Sequence, residues 1–218
     1  MKSVENYYED ILKGKNEHEL MCIIRGLKNK IEQLKNIIEH PHYEISTDFC
    51  DEYPELYYTQ SCLEKAKETL KEVGGAYEPT TEELKAQDFE DNIQFINKLS
   101  LRIGDSFDWH SIHTAILNGE DFELRSHLSF MPKLASPDKD FDAVSKDYFY
   151  KKMHDLHIGE WKTNNSLNRF GCDDNENMPW DLKIWFSNGH SPVMIHGAGV
   201  YPYNFEELKS IFGIESDN

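Results

Sequence analysis

Between residues 17 and 39, apolar side chains recur at Leu20, Ile24, Leu27, Ile31, Leu34 and Ile38, in steps of 4, 3, 4, 3 and 4. Only an α-helix places that set on one face; a strand would throw alternate members to opposite sides. The stripe therefore commits the start of the chain to helix and demands a second apolar surface to cover it. Asn16 and Glu19 have capping-box spacing, and Pro41 ends the run. Three heptads read as the inward face of a helical bundle, and the other available cover is a second copy of the helix, a homodimer joined through residues 20 to 38.

More helical signals follow. Leu63, Ala66, Leu70 and Val73 form a shorter stripe that stops at Gly74 and Gly75. Thr80 and Glu83 repeat the capping-box spacing, ahead of a third stripe through Leu84, Phe89, Ile93, Ile96 and Leu99. With a short helix over residues 3 to 13, residues 1–103 read as a helical bundle.

Near Gly104 the period changes from about 3.6 to 2. Asn118 and Gly119 sit between two alternating runs, a hairpin signal. A loop made of those two residues opposes Phe107 to Phe130, Trp109 to Leu128 and Ala115 to Phe122 on a core face shared with Leu117. The outer face then pairs His110 with His127, Ile112 with Arg125 and Thr114 with Glu123.

A second Asn-Gly pair, Asn188 and Gly189, separates two more runs. It puts Trp180, Leu182, Ile184, Phe186, Val193 and Ile195 on one face. Asp181 opposes His196 on the other, beside Lys183, Trp185 and Met194. Two short helices complete this half. One is capped by Ser145 and carries Tyr148, Phe149, Met153 and Leu156; the other opens at Asn204 and Glu207, runs through Phe205, Leu208, Ile211 and Phe212, and closes at Gly213. Ile158 to Trp161 reads as a short strand and the polar stretch after it as a long surface loop. The expected fold is α+β: an N-terminal helical bundle followed by an antiparallel, hairpin-built sheet with two short helices, residues 104–218, the two halves free to pack as one unit.

Charge narrows the partners. Forty Asp and Glu against 23 Lys and Arg give a net charge of -17, which repels nucleic-acid phosphates and anionic membrane surfaces and suits a basic protein partner. No stretch approaches eighteen consecutive apolar residues, and the four cysteines have no C-x-x-C spacing, so free thiols in the cytoplasm are expected. Cys22 and Cys62 fall on the helical stripes. Twelve Phe, 11 Tyr and 4 Trp supply a core.

Tyr43, Phe49, Tyr53, Tyr57 and Tyr58 crowd a segment that also holds Glu44, Asp48, Asp51, Glu52 and Glu55 and has no Lys or Arg. Aromatic rings among carboxylates either fold back on the helices or anchor a partner, because tyrosine buries area at low entropy cost. Asp173, Asp174 and Glu176 beside Cys172, and Trp185 on the outer sheet face, extend this candidate binding set.

The histidines His110, His113, His127, His154, His157, His190 and His196 raise the question of a metal. His154 and His157 stand i, i+3 with Glu160 near in sequence; Asp108, His110 and His127 form a second candidate set. His110 and His113 point to opposite strand faces and cannot share an ion. No nucleophile elbow, H-E-x-x-H or phosphate loop occurs, and the carboxylates around Cys172 disfavour its thiolate. Two functions remain. One is a non-enzymatic acidic inhibitor, immunity or anti-defence factor that needs no cofactor and covers a basic, nucleic-acid-binding surface; the charge and the missing motifs favour it. The other is a metal-dependent, hydrolase-like enzyme built on one of the histidine sets.

Overall fold

The computed structural model describes residues 3–43, 52–104, 109–130, 134–135, 139–140, 143–172 and 178–214. Two compact units emerge, Met1–Pro79 and Thr80–Asn218.

The first unit is helical. Helix α1 (Val4–Tyr7) runs into a π-helical turn, Tyr8–Leu12, and is followed by α2 (Glu17–Ile38) and α3 (Glu52–Glu72). Helix α2 starts where its sequence says it must. The Asn16 side chain accepts from the Glu19 N–H at 3.0 Å, and the Glu19 carboxylate accepts from the Asn16 N–H at 3.0 Å, satisfying two backbone donors left over at a helix start. Leu20, Ile24, Ile31, Leu34 and Ile38 are buried, and α2 packs along α3. The stripe is thus covered within one chain.

Helix α3 begins earlier than its apolar stripe suggests, with Pro54 in the first turn, where the missing N–H removes no helix bond. Its buried side is Leu56, Thr59, Cys62, Leu63, Ala66, Thr69 and Leu70. Two expected members of the apolar faces lie outside. Val73 follows the last helical residue and is exposed, and Cys22 is exposed on α2 near His18. The Gly75 N–H donates to Leu70 O at 2.9 Å with Gly74 at φ 82°, the left-handed stop the two glycines supply.

The second unit opens with α4 (Thr81–Asn92), whose capping box between Thr80 and Glu83 is present. The third stripe does not continue as helix. After a 3-10 turn, Ile93–Phe95, the chain becomes strand β1 (Ile96–Gly104), so the change of architecture precedes Gly104 and both α4 and β1 belong with the sheet. The strands that follow are β2 (Trp109–Asn118), β3 (Asp121–Phe130), the two-residue strands β4 (Leu134–Ala135), β5 (Lys139–Asp140) and β6 (Val144–Ser145), β7 (Asn164–Ser166), β8 (Pro179–Phe186) and β9 (Val193–Ala198). Helix α5 (Lys146–Asp155) lies between β6 and β7, and α6 (Phe205–Ile211) comes last. The sheet order is β4-β3-β2-β1-β8-β9-β7, with β5 and β6 also paired to β3; the β7 and β9 pair is parallel, all others antiparallel.

The first hairpin keeps its expected faces but not its expected partners. Asn118 pairs with Asp121, so Gly119 and Glu120 make the turn, and Ala115 stands opposite Leu124 rather than Phe122. Only the first central residue, Gly119, takes positive φ (67°), the Gly-X pattern rather than the Asn-Gly one. Each partner moves by two residues, and an even shift preserves which side chains face the core. The second hairpin has the expected register, Asp181 opposite His196 and Leu182 opposite Ile195, with a loop over residues 187–192.

The inner sheet face carries Leu99, Leu101, Ala115, Phe122, Leu124, Trp180, Leu182, Ile184, Phe186 and Ile195. Phe89 of α4, Phe149 and Met153 of α5, and Phe205, Leu208, Ile211 and Phe212 from the α6 region cover it. The Phe122 and Phe149 rings stack 3.8 Å apart. Ile158–Glu160 is a 3-10 turn rather than a strand, and the loop after Trp161 contains β7 with a fully buried Asn165. Asn204 is not a side-chain cap. Buried at the start of α6, it accepts from Trp161 Nε1 at 2.9 Å and donates to Leu156 O, which ties α6 to the end of α5.

Candidate functional site

The N-terminal end of α3 gathers three of the aromatic candidates. The Tyr43 hydroxyl donates to Glu52 Oε2 at 2.8 Å, and the Tyr43 and Tyr53 rings meet edge to face 6.4 Å apart. Tyr57 lies one helical turn beyond Tyr53, and 44% of its surface is exposed. Glu52 and Glu55 bring charge to the same helix end; Glu55 also pairs with Lys30 of α2 at 2.5 Å. Tyr58, partly buried, packs edge to face on Tyr7. Phe49, Asp173, Asp174 and Glu176 lie outside the described residues. Trp185 belongs to the other unit, half-buried on the outer face of β8 with Lys98 Nζ 4.9 Å from its ring centre, a cation–π contact.

The outer face of the sheet opposes rows of polar and apolar groups. Arg102 pairs with Asp181, its neighbour across β1 and β8, and His196 stands opposite Asp181 on β9. His110 opposes Ser129 and His127 opposes Ile112, so the two imidazoles are diagonal neighbours rather than a facing pair. Asp108 is outside the described residues.

His154 and His157 both approach Glu90. His154 Nδ1 lies 2.7 Å from Glu90 Oε2 and His157 Nδ1 lies 4.0 Å from Glu90 Oε1, so α4 supplies the carboxylate. A third imidazole reaches the same helix: His190 Nε2 is 2.8 Å from Asp88 Oδ2, and that hydrogen bond holds the His190 pKa above its usual value. Among the described residues, no group of three or more His, Cys, Asp or Glu side chains is placed to hold a metal ion.

His113 has a setting its sequence does not announce. It lies on the inner face of β2, 7% exposed, with Nδ1 2.5 Å from Ser126 Oγ, Nε2 2.9 Å from Ser111 Oγ and the Phe212 ring 5.7 Å away. Burial pushes its pKa down to about 4, leaving the ring neutral at pH 7. The alternation of His113 with Ala115 and Leu117 marks it as core-facing, yet the two serines become visible as partners only once the register is known.

Burial also raises the Cys62 thiol, which disfavours its thiolate. No helix among the described residues is long and apolar enough to cross a membrane. Comparison with family models, curated proteins and solved structures finds no match to the chain. The geometry therefore defines the class: an α+β protein whose helical unit carries a tyrosine-lined, acidic start of α3.

Proposed function

We propose that the chain is a non-enzymatic acidic interaction module, an inhibitor, immunity or anti-defence factor that covers the basic, nucleic-acid-binding surface of a protein partner. One observation carries this reading: Tyr43, Tyr53 and the exposed Tyr57 are framed by Glu52 and Glu55 at one helix end, in a chain of net charge -17. Rings with few rotatable bonds bury area at low entropic cost, and carboxylates around them accept from Arg and Lys. The overall charge steers a basic partner in from a distance. The cytoplasm suits the described thiols Cys22, Cys62 and Cys172.

The test is parallel affinity capture from native lysate with wild type and a Y53A/Y57A double variant. Wild type is expected to retain a protein of basic isoelectric point that raised salt releases, and the variant to lose it. Retention that is equal for both chains, or indifferent to salt, removes the support for this reading.

A further inference from the structure

We propose that the tip of the second hairpin, residues 189–192, is a proton-operated clasp: His190 pins it to α4 while the ring carries two protons, and loss of one frees it. Both ring nitrogens face acceptors. Nε2 lies 2.8 Å from Asp88 Oδ2, and Nδ1 lies 2.8 Å from Ser191 O. A carboxylate and a carbonyl oxygen have no proton to give, so the ring that makes both bonds is the imidazolium. A neutral ring has one N–H and forfeits one of them. His113 is the contrast, because both of its nitrogens meet hydroxyls, which give or take as the tautomer requires.

The entry to the loop is tied down without charge. The Ser187 N–H donates to Phe95 O at 2.7 Å, and Asn188 Nδ2 donates to Asn92 Oδ1 at 2.7 Å. Neither bond depends on pH. Past Asn188 the attachment is different: Gly189, Ser191 and Pro192 are exposed, and the polar contact that holds this part of the loop on α4 is His190 to Asp88. The Phe186 ring lies between the two elements, edge to face with Phe89 of α4 at 6.1 Å and with His190 at 4.7 Å, so the imidazole is set down on a core-anchored surface.

The charges around the ring favour the same state. Among the described residues, Asp88 is the charged group that acts on His190; the 3-10 turn Ile93–Phe95 brings no titratable side chain, and β8 meets the ring through Phe186. Glu90, two positions beyond Asp88, is engaged instead by His154 and His157. The hydrogen bond to Asp88, joined by the one to Ser191, raises the His190 pKa above 6.5. Asp88 stands 102 positions away in sequence, so the unfolded chain lacks this contact. The clasp is therefore closed at pH 6.5 and below, as long as Asp88 stays ionised, and opens as pH rises through the raised value.

The test is an NMR titration of the whole chain between about pH 5.5 and 9. Ring 1H–15N correlations report the protonation of each His190 nitrogen, with His190→Gln giving the assignment, and 13Cα relaxation reports the order of the tip. The ring is expected to carry two protons at the acid end and to lose one with a midpoint above 6.5. Across that midpoint the order parameters of His190 and Ser191 should fall from about 0.85 to below about 0.6, while Ser187 keeps about 0.85 throughout. Asp88 is 61% exposed, so Asp88→Asn leaves the packing alone; its His190 midpoint should lie below that of wild type, with the tip loosening at a correspondingly lower pH. In His190→Gln the order of the tip should not change with pH. A wild-type midpoint at or below 6.5, a midpoint that Asp88→Asn leaves in place, or order parameters that stay flat across the midpoint overturns the clasp.

Discussion

Replacing His113 by Gln tests how the inner face of the sheet handles a buried imidazole. In the folded chain the ring is wedged between Ser111, Ser126 and Phe212 and titrates near 4, against 6.5 when unperturbed. The folded pKa is depressed for a base, so between those values the unfolded chain binds more protons than the folded one. Stability from this residue is whole above pH 6.5 and is lost as pH falls toward 4. From the two pKa values the loss is about 2 kcal/mol between pH 7.5 and 5, reaching about 3 kcal/mol below pH 4. Glutamine keeps a donor and an acceptor for the two serines but cannot titrate. Urea unfolding followed by tryptophan fluorescence suits the comparison, because Trp109, Trp161, Trp180 and Trp185 all belong to the unit that contains the sheet. Subtracting wild type from H113Q at each pH cancels the other titrating groups. We expect the difference to move by about 2 kcal/mol in favour of the variant between pH 7.5 and 5. A difference that stays flat across that interval would refute the buried, neutral assignment of His113.

Three further outcomes follow from the packing. Gly197→Ala places a methyl group within the space of the Trp180 indole, so a loss of about 2 kcal/mol in urea unfolding is expected, and a variant with the wild-type midpoint would disprove the close approach. Asn204→Ala strands Trp161 Nε1 and Leu156 O inside the core; about 2 to 3 kcal/mol should be lost, and a loss under 1 kcal/mol would mean that the bridge does not hold α6. Asn16→Ala removes half of the α2 capping box, which should cost about 1 kcal/mol in the unfolding of the helical unit by circular dichroism, an unchanged midpoint counting against the cap.

The elements read most directly from sequence are those whose signal is local. The Leu20 to Ile38 stripe, the caps at Asn16, Thr80 and Ser145, and the core faces of both hairpins depend on spacing along a few residues, and the structure has them. Strand β1 was not legible in this way. Ile93, Ile96 and Leu99 fit a helix, while Leu99, Leu101 and Ile103 fit a strand; the slot between β2 and β8 decides, and β8 lies far along the chain. Asn204 has cap spacing with Glu207, yet Trp161 and Leu156 claim its amide, a tertiary demand with no local trace. The partner of His154 and His157 was equally out of local reach: both approach Glu90, a carboxylate on another helix.

The docking proposed for the acidic, tyrosine-lined start of α3 is tested most directly by the association rate with a captured basic partner as salt is raised. Charge steering predicts a rate that falls at least tenfold between about 20 mM and 500 mM NaCl, together with faster dissociation for Y53A/Y57A. An association rate flat in salt, with dissociation unchanged in the variant, would contradict it.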